Sequence, residues 1–171
     1  PRDRSGGQCN GCTYRPAQPE KFGQYLNASG SNQVDRIRWV VRVGDIPAGT
    51  QPGDLRAMGG PVAPGTEIVL RDPGIGDGMT ITRSLVRAAN SVRRGADGNE
   101  VLNFEDVPAA QLDWNDDKTE VRWIAQGAPS GDLGPNRSGE QQRGLGGTVY
   151  EVEWMVTLDD RGASAAYYNS A

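Results

Sequence analysis

The chain has 171 residues, 36% of them hydrophobic and only 6% aromatic, against 24 Gly and 11 Pro. That length supports one core-forming domain, and that composition excludes a protein built of long helices. A formal charge of −4 and an isoelectric point near 4.9 exclude the broad cationic surface on which sequence-independent nucleic-acid binding depends.

Residues 1–20 are polar and carry Pro and Gly, which predicts an N-terminal arm. Its Gln8-Cys9-Asn10-Gly11-Cys12 stretch holds the only two cysteines of the chain. A C-x-x-C pair serves as a redox motif opening a helix, as half of a metal site, or as a small disulfide loop. Gly, Asn and Pro around it disfavour the helix. A zinc site lacks further ligands, because the chain has no histidine and no other cysteine. The favoured reading is a structural Cys9–Cys12 disulfide pinning the arm, in a compartment that permits disulfides, with no metal. The missing histidine also removes the Ser-His-Asp and Cys-His nucleophile systems. Paired-carboxylate chemistry stays open, but no two acids are set apart by a local pattern.

Arg36-Ile37-Arg38-Trp39-Val40-Val41-Arg42-Val43 alternates, with Ile37, Trp39, Val41 and Val43 on one face and Arg36, Arg38 and Arg42 on the other. This predicts a half-buried strand. Residues 44–65 repeat Gly and Pro and read as a long loop or an irregular edge. The next strand is Glu67-Ile68-Val69-Leu70-Arg71-Asp72, closed by Pro73-Gly74, with Ile68, Leu70 and Asp72 on one side. Over residues 80–94, Leu85, Val86, Ala89 and Val92 stand at helical spacing, while an edge strand from Met79 to Thr82 fits as well. Gln111-Leu112-Asp113-Trp114 and Thr119-Glu120-Val121-Arg122-Trp123-Ile124 flank Asn115-Asp116-Asp117-Lys118, which has hairpin-loop chemistry. Residues 126–147 read as a second long, Gly-rich loop. Tyr150, Val152, Trp154, Val156 and Leu158 then face one way, with Glu151 and Glu153 on the other. After a turn at Asp159-Asp160-Arg161-Gly162, Ala165-Ala166-Tyr167-Tyr168-Asn169-Ser170-Ala171 returns as a last strand. Short amphipathic strands joined by turns predict an all-β fold, an immunoglobulin-like β-sandwich with long loops and little helix. The four tryptophans are read as packing residues ahead of a sugar platform.

Within this frame three residues carry possible chemistry. Tyr167, Asn169 and Ala171 share one face of the final strand, so the amide turns inward if its neighbours do. Asp72 shares a face with two aliphatic residues, where a carboxyl group needs a partner or stays protonated. Lysine is scarce, with two lysines among 18 basic residues. Lys118 is explained by the hairpin turn, whereas Lys21, in Glu20-Lys21-Phe22-Gly23, is not. Unlike arginine, a desolvated lysine readily loses its proton and attacks as an amine. A buried neutral lysine, an asparagine carboxamide and a protonated acid make a self-contained site for amide exchange. Its product is a Lys–Asn isopeptide bond with release of ammonia, accelerated by proximity and needing no cofactor.

The order of "RIRWVVRV", "TEIVLRDPG", "LNFEDVPAAQLDWNDDKTEVRWIA", "TVYEVEWMVTLDD" and "YYNSA" resembles the immunoglobulin-like A-region domains of Gram-positive surface adhesins of the collagen-binding type. The likeness covers roughly residues 21–171. It implies a lysine near the first strand bonded to an asparagine of the last, aided by an acid on a middle strand. By position, Lys21 is the amine, Asn169 the carboxamide and Asp72 the catalytic acid, with Glu67 and Glu153 as other acids to consider. The stretch from Lys21 to Trp39 and the loops at 44–65 and 126–147 are longer than that pattern, and the Cys9/Cys12 arm has no counterpart in it.

These readings divide the chain into an arm over 1–20 and an adhesin-type domain over 21–171. The function expected is that of a bacterial cell-surface domain, not an enzyme. It binds an extracellular protein or glycan ligand, or supports the module that does, alongside adjacent domains of the same surface protein. No apolar run reaches the length of a membrane span and no charged-then-apolar leader opens the chain. The expectation is therefore a mature extracellular fragment, cell-wall anchored or otherwise held at the surface, without membrane insertion. The alternative is a carbohydrate-binding module or β-sandwich enzyme using exposed Trp and carboxylates.

Overall fold

A computed structural model describes residues 19–27, 34–44, 61–75, 78–94, 96, 100–127 and 147–159. Eight strands follow one another: β1 (Glu20–Asn27), β2 (Val34–Val43), β3 (Glu67–Arg71), β4 (Met79–Arg94), β5 (Glu100–Asp106), β6 (Asp113–Trp114), β7 (Glu120–Ile124) and β8 (Tyr150–Leu158). A single 3-10 turn at Ala109–Gln111 is the one helical element among the described residues. The strands form two sheets, one of five strands in the order β1-β2-β8-β4-β5 and one of three in the order β3-β7-β6. Every pairing is antiparallel. The chain is an all-β, sandwich-like protein.

Alternation places the core between the sheets. Ile37, Val41 and Val43 of β2, Val86 of β4, and Val152, Trp154 and Val156 of β8 turn inward from the large sheet. They meet Ile68 and Leu70 of β3 and Val121 and Trp123 of β7, which turn inward from the small one. Because the side-chain period of a strand is two, a one-residue slip in either sheet would send this whole apolar set into water. Register is therefore specified by burial itself.

Three segments depart from the sequence reading. Glu20–Asn27, where alternation predicts no strand, forms β1. Residues 79–94, where helical and edge-strand patterns competed, form the long strand β4 in the interior of the large sheet, between β8 and β5. Its spacing mimics a helix because the strand carries irregularities between Ile81 and Arg83 and between Ala89 and Ser91, each of which shifts the alternation by one residue. Alternation predicts no strand over Glu100–Asp106, since Leu102, Asn103 and Phe104 lack a clean period of two, yet these residues form β5. The hairpin is as expected in kind but shorter. Asn115 closes it, its side chain accepting from the Glu120 N–H at 3.0 Å and donating to the Thr119 hydroxyl at 3.0 Å. Lys118 takes the left-handed conformation with φ 62°. Cys9 and Cys12 of the expected N-terminal arm, most of residues 44–65 and 126–147, and Asn169 with the strand expected around it lie outside the described residues.

Candidate functional site

Lys21 lies on β1, at the edge of the large sheet among the described residues, in register with Val41. Val41 belongs to the core, so alternation sends the lysine stem toward the sandwich interior. Two residues on, Gly23 faces Trp39 across the same strand pair. The Lys21 ammonium stands 5.1 Å from the centre of the Trp39 ring, a distance at which a cation is drawn to the indole face.

Asp72 comes from the other sheet. Its backbone N–H donates to the Thr119 carbonyl at 2.8 Å, which continues the β3–β7 ladder by one residue. The chain then turns at Pro73-Gly74, where the Gly74 N–H donates to Oδ1 of Asp72 at 3.3 Å. This Asx-type contact fixes the carboxyl group at the start of the turn. The other oxygen, Oδ2, accepts from Nζ of Lys21 at 2.8 Å. The Lys21 side chain is 15% exposed and the Asp72 side chain not at all.

The pair thus bridges the two sheets with both charged ends largely withdrawn from water. Desolvation lowers the lysine pKa below its ordinary 10.5 and outweighs the opposing pull of the hydrogen bond and charge of Asp72. A buried carboxylate without a partner would be costly. Here the partner is an amine whose proton sits one hydrogen bond from a carboxylate oxygen. Proton transfer along that bond yields a neutral amine beside a carboxylic acid, the two forms that amide exchange requires.

The structure brings Lys21 and Asp72 together. Asn169 lies outside the described residues, as do Cys9 and Cys12. The other acids considered stand elsewhere. Glu67 pairs with Arg122 at 3.2 Å on the outer face of the small sheet. Glu153 is held on the outer face of the large sheet by Arg38, by Arg83 at 2.8 Å and by Arg87 at 3.6 Å. It is 1% exposed because these arginine stems lie over it. Their charges hold its carboxyl below the usual 4.5 despite the opposing effect of burial. Glu151 is similarly buried and pairs with Arg42. The sequence reading places both glutamates opposite the apolar face of their strand and considers Glu153 as another acid for the cross-link, but gives neither an arginine partner. The available signal was the four-residue spacing of Arg38/Arg42 and of Arg83/Arg87 beside the alternating Glu151/Glu153, and only the sheet order makes these three strands neighbours.

The tryptophans are packing residues. Trp154 is fully buried, meets Trp114 edge to face at 6.2 Å, and donates its indole N–H to the Lys118 carbonyl at 2.7 Å. Trp123 is 3% exposed and meets Tyr150 at 5.3 Å. Among the described residues no group of three or more His, Cys, Asp or Glu side chains is placed to hold a metal ion. None of the helices among them is long and apolar enough to cross a membrane. Comparison with family models, curated proteins and solved structures gave no match.

Proposed function

We propose that the chain is a bacterial cell-surface adhesin domain, one that binds a host or neighbouring-cell ligand or supports the module that binds it, held together by an isopeptide bond between Lys21 and Asn169. The observation that supports this reading best is the 2.8 Å contact between the largely buried Lys21 amine and the fully buried Asp72 carboxylate.

In the proposed reaction, Asp72 first takes a proton from the Lys21 ammonium and so becomes the acid. The neutral amine attacks the side-chain carbonyl carbon of Asn169, whose oxygen Asp72 polarises. The new C–N bond forms, the carboxamide C–N bond breaks, and the nitrogen leaves as ammonia. One lysine N–H hydrogen departs with it, and no oxidant or cofactor is consumed. Such a bond joins the first strand to the end of the chain, so a pull on the termini loads a covalent path and unfolding becomes slow in the kinetic sense.

Intact-mass spectrometry tests this directly. The folded chain is expected to weigh one ammonia less than its sequence, apart from any hydrogen lost to a disulfide, and Lys21→Ala or Asn169→Ala should restore that mass. A native chain of full mass would end the proposal. The sugar-binding alternative has less support, because Trp123 and Trp154 are committed to the core.

A further inference from the structure

A second feature lies away from Lys21, against the opposite edge of the large sheet. A cavity of about 200 Å³ opens beside β4 and β5, lined by residues that include Ala88, Asn90, Glu105, Val107, Gln126 and Tyr150. Where Asp72 is tied to the start of β7, this cavity is bounded by the residues that follow its end.

The walls combine three features. They are mostly apolar, with Ala88, Val107 and Pro108 offering surface without hydrogen-bonding side chains. The Tyr150 ring is 2% exposed, and its hydroxyl accepts from the Gln126 backbone N–H at 3.0 Å. Among the described residues the charge is one-sided, since Glu105 and Asp106 line the cavity and no described lysine or arginine does. Asp106 is already engaged by Arg87 at 3.3 Å. Among the described residues Glu105 has no side-chain hydrogen bond or ion pair, so its negative charge is uncommitted. The irregularity between Ala89 and Ser91 sets Asn90 out of register and puts it on the cavity wall, a use to which bulges near binding sites are commonly put.

We infer that this cavity takes one basic side chain of a partner polypeptide, its aliphatic stem along Ala88 and Val107 and its ammonium or guanidinium at Glu105. Long cationic side chains bury their stems on apolar surface while the charged head seeks a carboxylate at the rim. A sugar fits less well, because no tryptophan lines the cavity and the lone aromatic ring there is buried in the core. This inference rests on the ligand-binding half of the proposed function and is independent of the cross-link.

The test is a titration of the intact, isotopically labelled chain with N-acetyl-lysine methylamide, N-acetyl-arginine methylamide and the neutral N-acetyl-norleucine methylamide. Saturable shifts are expected at the Gln126 and Gly127 amides with the two cationic probes, at a dissociation constant on the order of 1 mM, ordinary for ligands of this size. Glu105→Gln, an exposed and isosteric change, should weaken them roughly threefold or more, as loss of a rim charge pair does. Lys21→Ala, which forms no cross-link, should bind like the native chain, which separates this result from the mass measurement. Absence of saturation, equal binding of the norleucine probe, unchanged affinity in Glu105→Gln, or saturation of the same amides by glucose instead would each overturn the inference.

Discussion

Gly23 and Trp39 face each other across β1 and β2, and the indole fills the space that a side chain on Gly23 would need. A β-carbon built there lies 2.5 Å from Cζ3 of Trp39 and 2.8 Å from Cε3. Alanine ordinarily improves on glycine in a strand, by removing backbone freedom from the unfolded chain. Here Gly23→Ala is expected to do the opposite and destabilise by about 1–3 kcal/mol, the usual range for overpacking. Urea unfolding in an Asn169→Ala background, where no cross-link complicates the equilibrium, measures this. The same substitution displaces the ring beside Nζ of Lys21, so in the otherwise native chain it should slow the appearance of the ammonia-depleted mass.

Asp72→Asn removes the acid while keeping the shape and the contact with the Gly74 N–H. The proposed reaction then lacks its proton carrier. The variant is expected to fold, with a native-like far-ultraviolet spectrum, and to retain the full sequence mass after prolonged incubation. Formation of the bond at the native rate in Asp72→Asn would assign the acid role elsewhere.

The chain has two lysines, which makes their titration separable by nuclear magnetic resonance. If the proposed bond forms, Lys21 of the native protein should not titrate, and one lysine side chain fewer should respond to alkaline pH than in Asn169→Ala. In Asn169→Ala, Lys21 should reappear as a titrating amine with its midpoint below 10.5, because desolvation disfavours its charged form. The sign for stability follows. A folded state that holds its lysine proton less tightly than the unfolded state gains stability as pH rises through the interval between the lowered value and 10.5. Two titrating lysines in the native chain would contradict the bond.

Glu153 makes an acid-side prediction. Its pKa is lowered by Arg38, Arg87 and Arg83 against the effect of burial. Its contribution is accordingly present above the unfolded value of 4.5 and lost as pH falls through the folded one. Glu153→Gln should cost about 3 kcal/mol at neutral pH, the scale for breaking a buried ion pair from one side. That difference from the Asn169→Ala parent should shrink progressively below pH 4.5 in chemical denaturation. A difference constant with pH would mean that the glutamate acts by packing alone.

Alternation alone locates β2, β3, β7 and β8, because a half-buried strand must place apolar groups at every second position. The β4 strand was ambiguous for the converse reason: its two irregularities break the period of two, and an offset alternation imitates helical spacing. The scarcity of lysine marks Lys21 in the sequence, and the face shared by Ile68, Leu70 and Asp72 marks the acid. Nothing local linked the two residues, which are 51 positions apart.

The all-β class, the alternating strands β2, β3, β7 and β8 and the inward set of Ile37, Val41, Val152, Trp154 and Val156 were determined by the sequence by itself, since the burial of apolar groups at alternate positions is a local rule. Sheet order belongs to the tertiary structure, and with it the contact of Lys21 with Asp72 between sheets, the burial of Glu153 beneath three arginines and the cavity beside Glu105. Those features depend on which strands become neighbours. That choice is made by the packing of whole faces against each other, a property that no single stretch of chain contains.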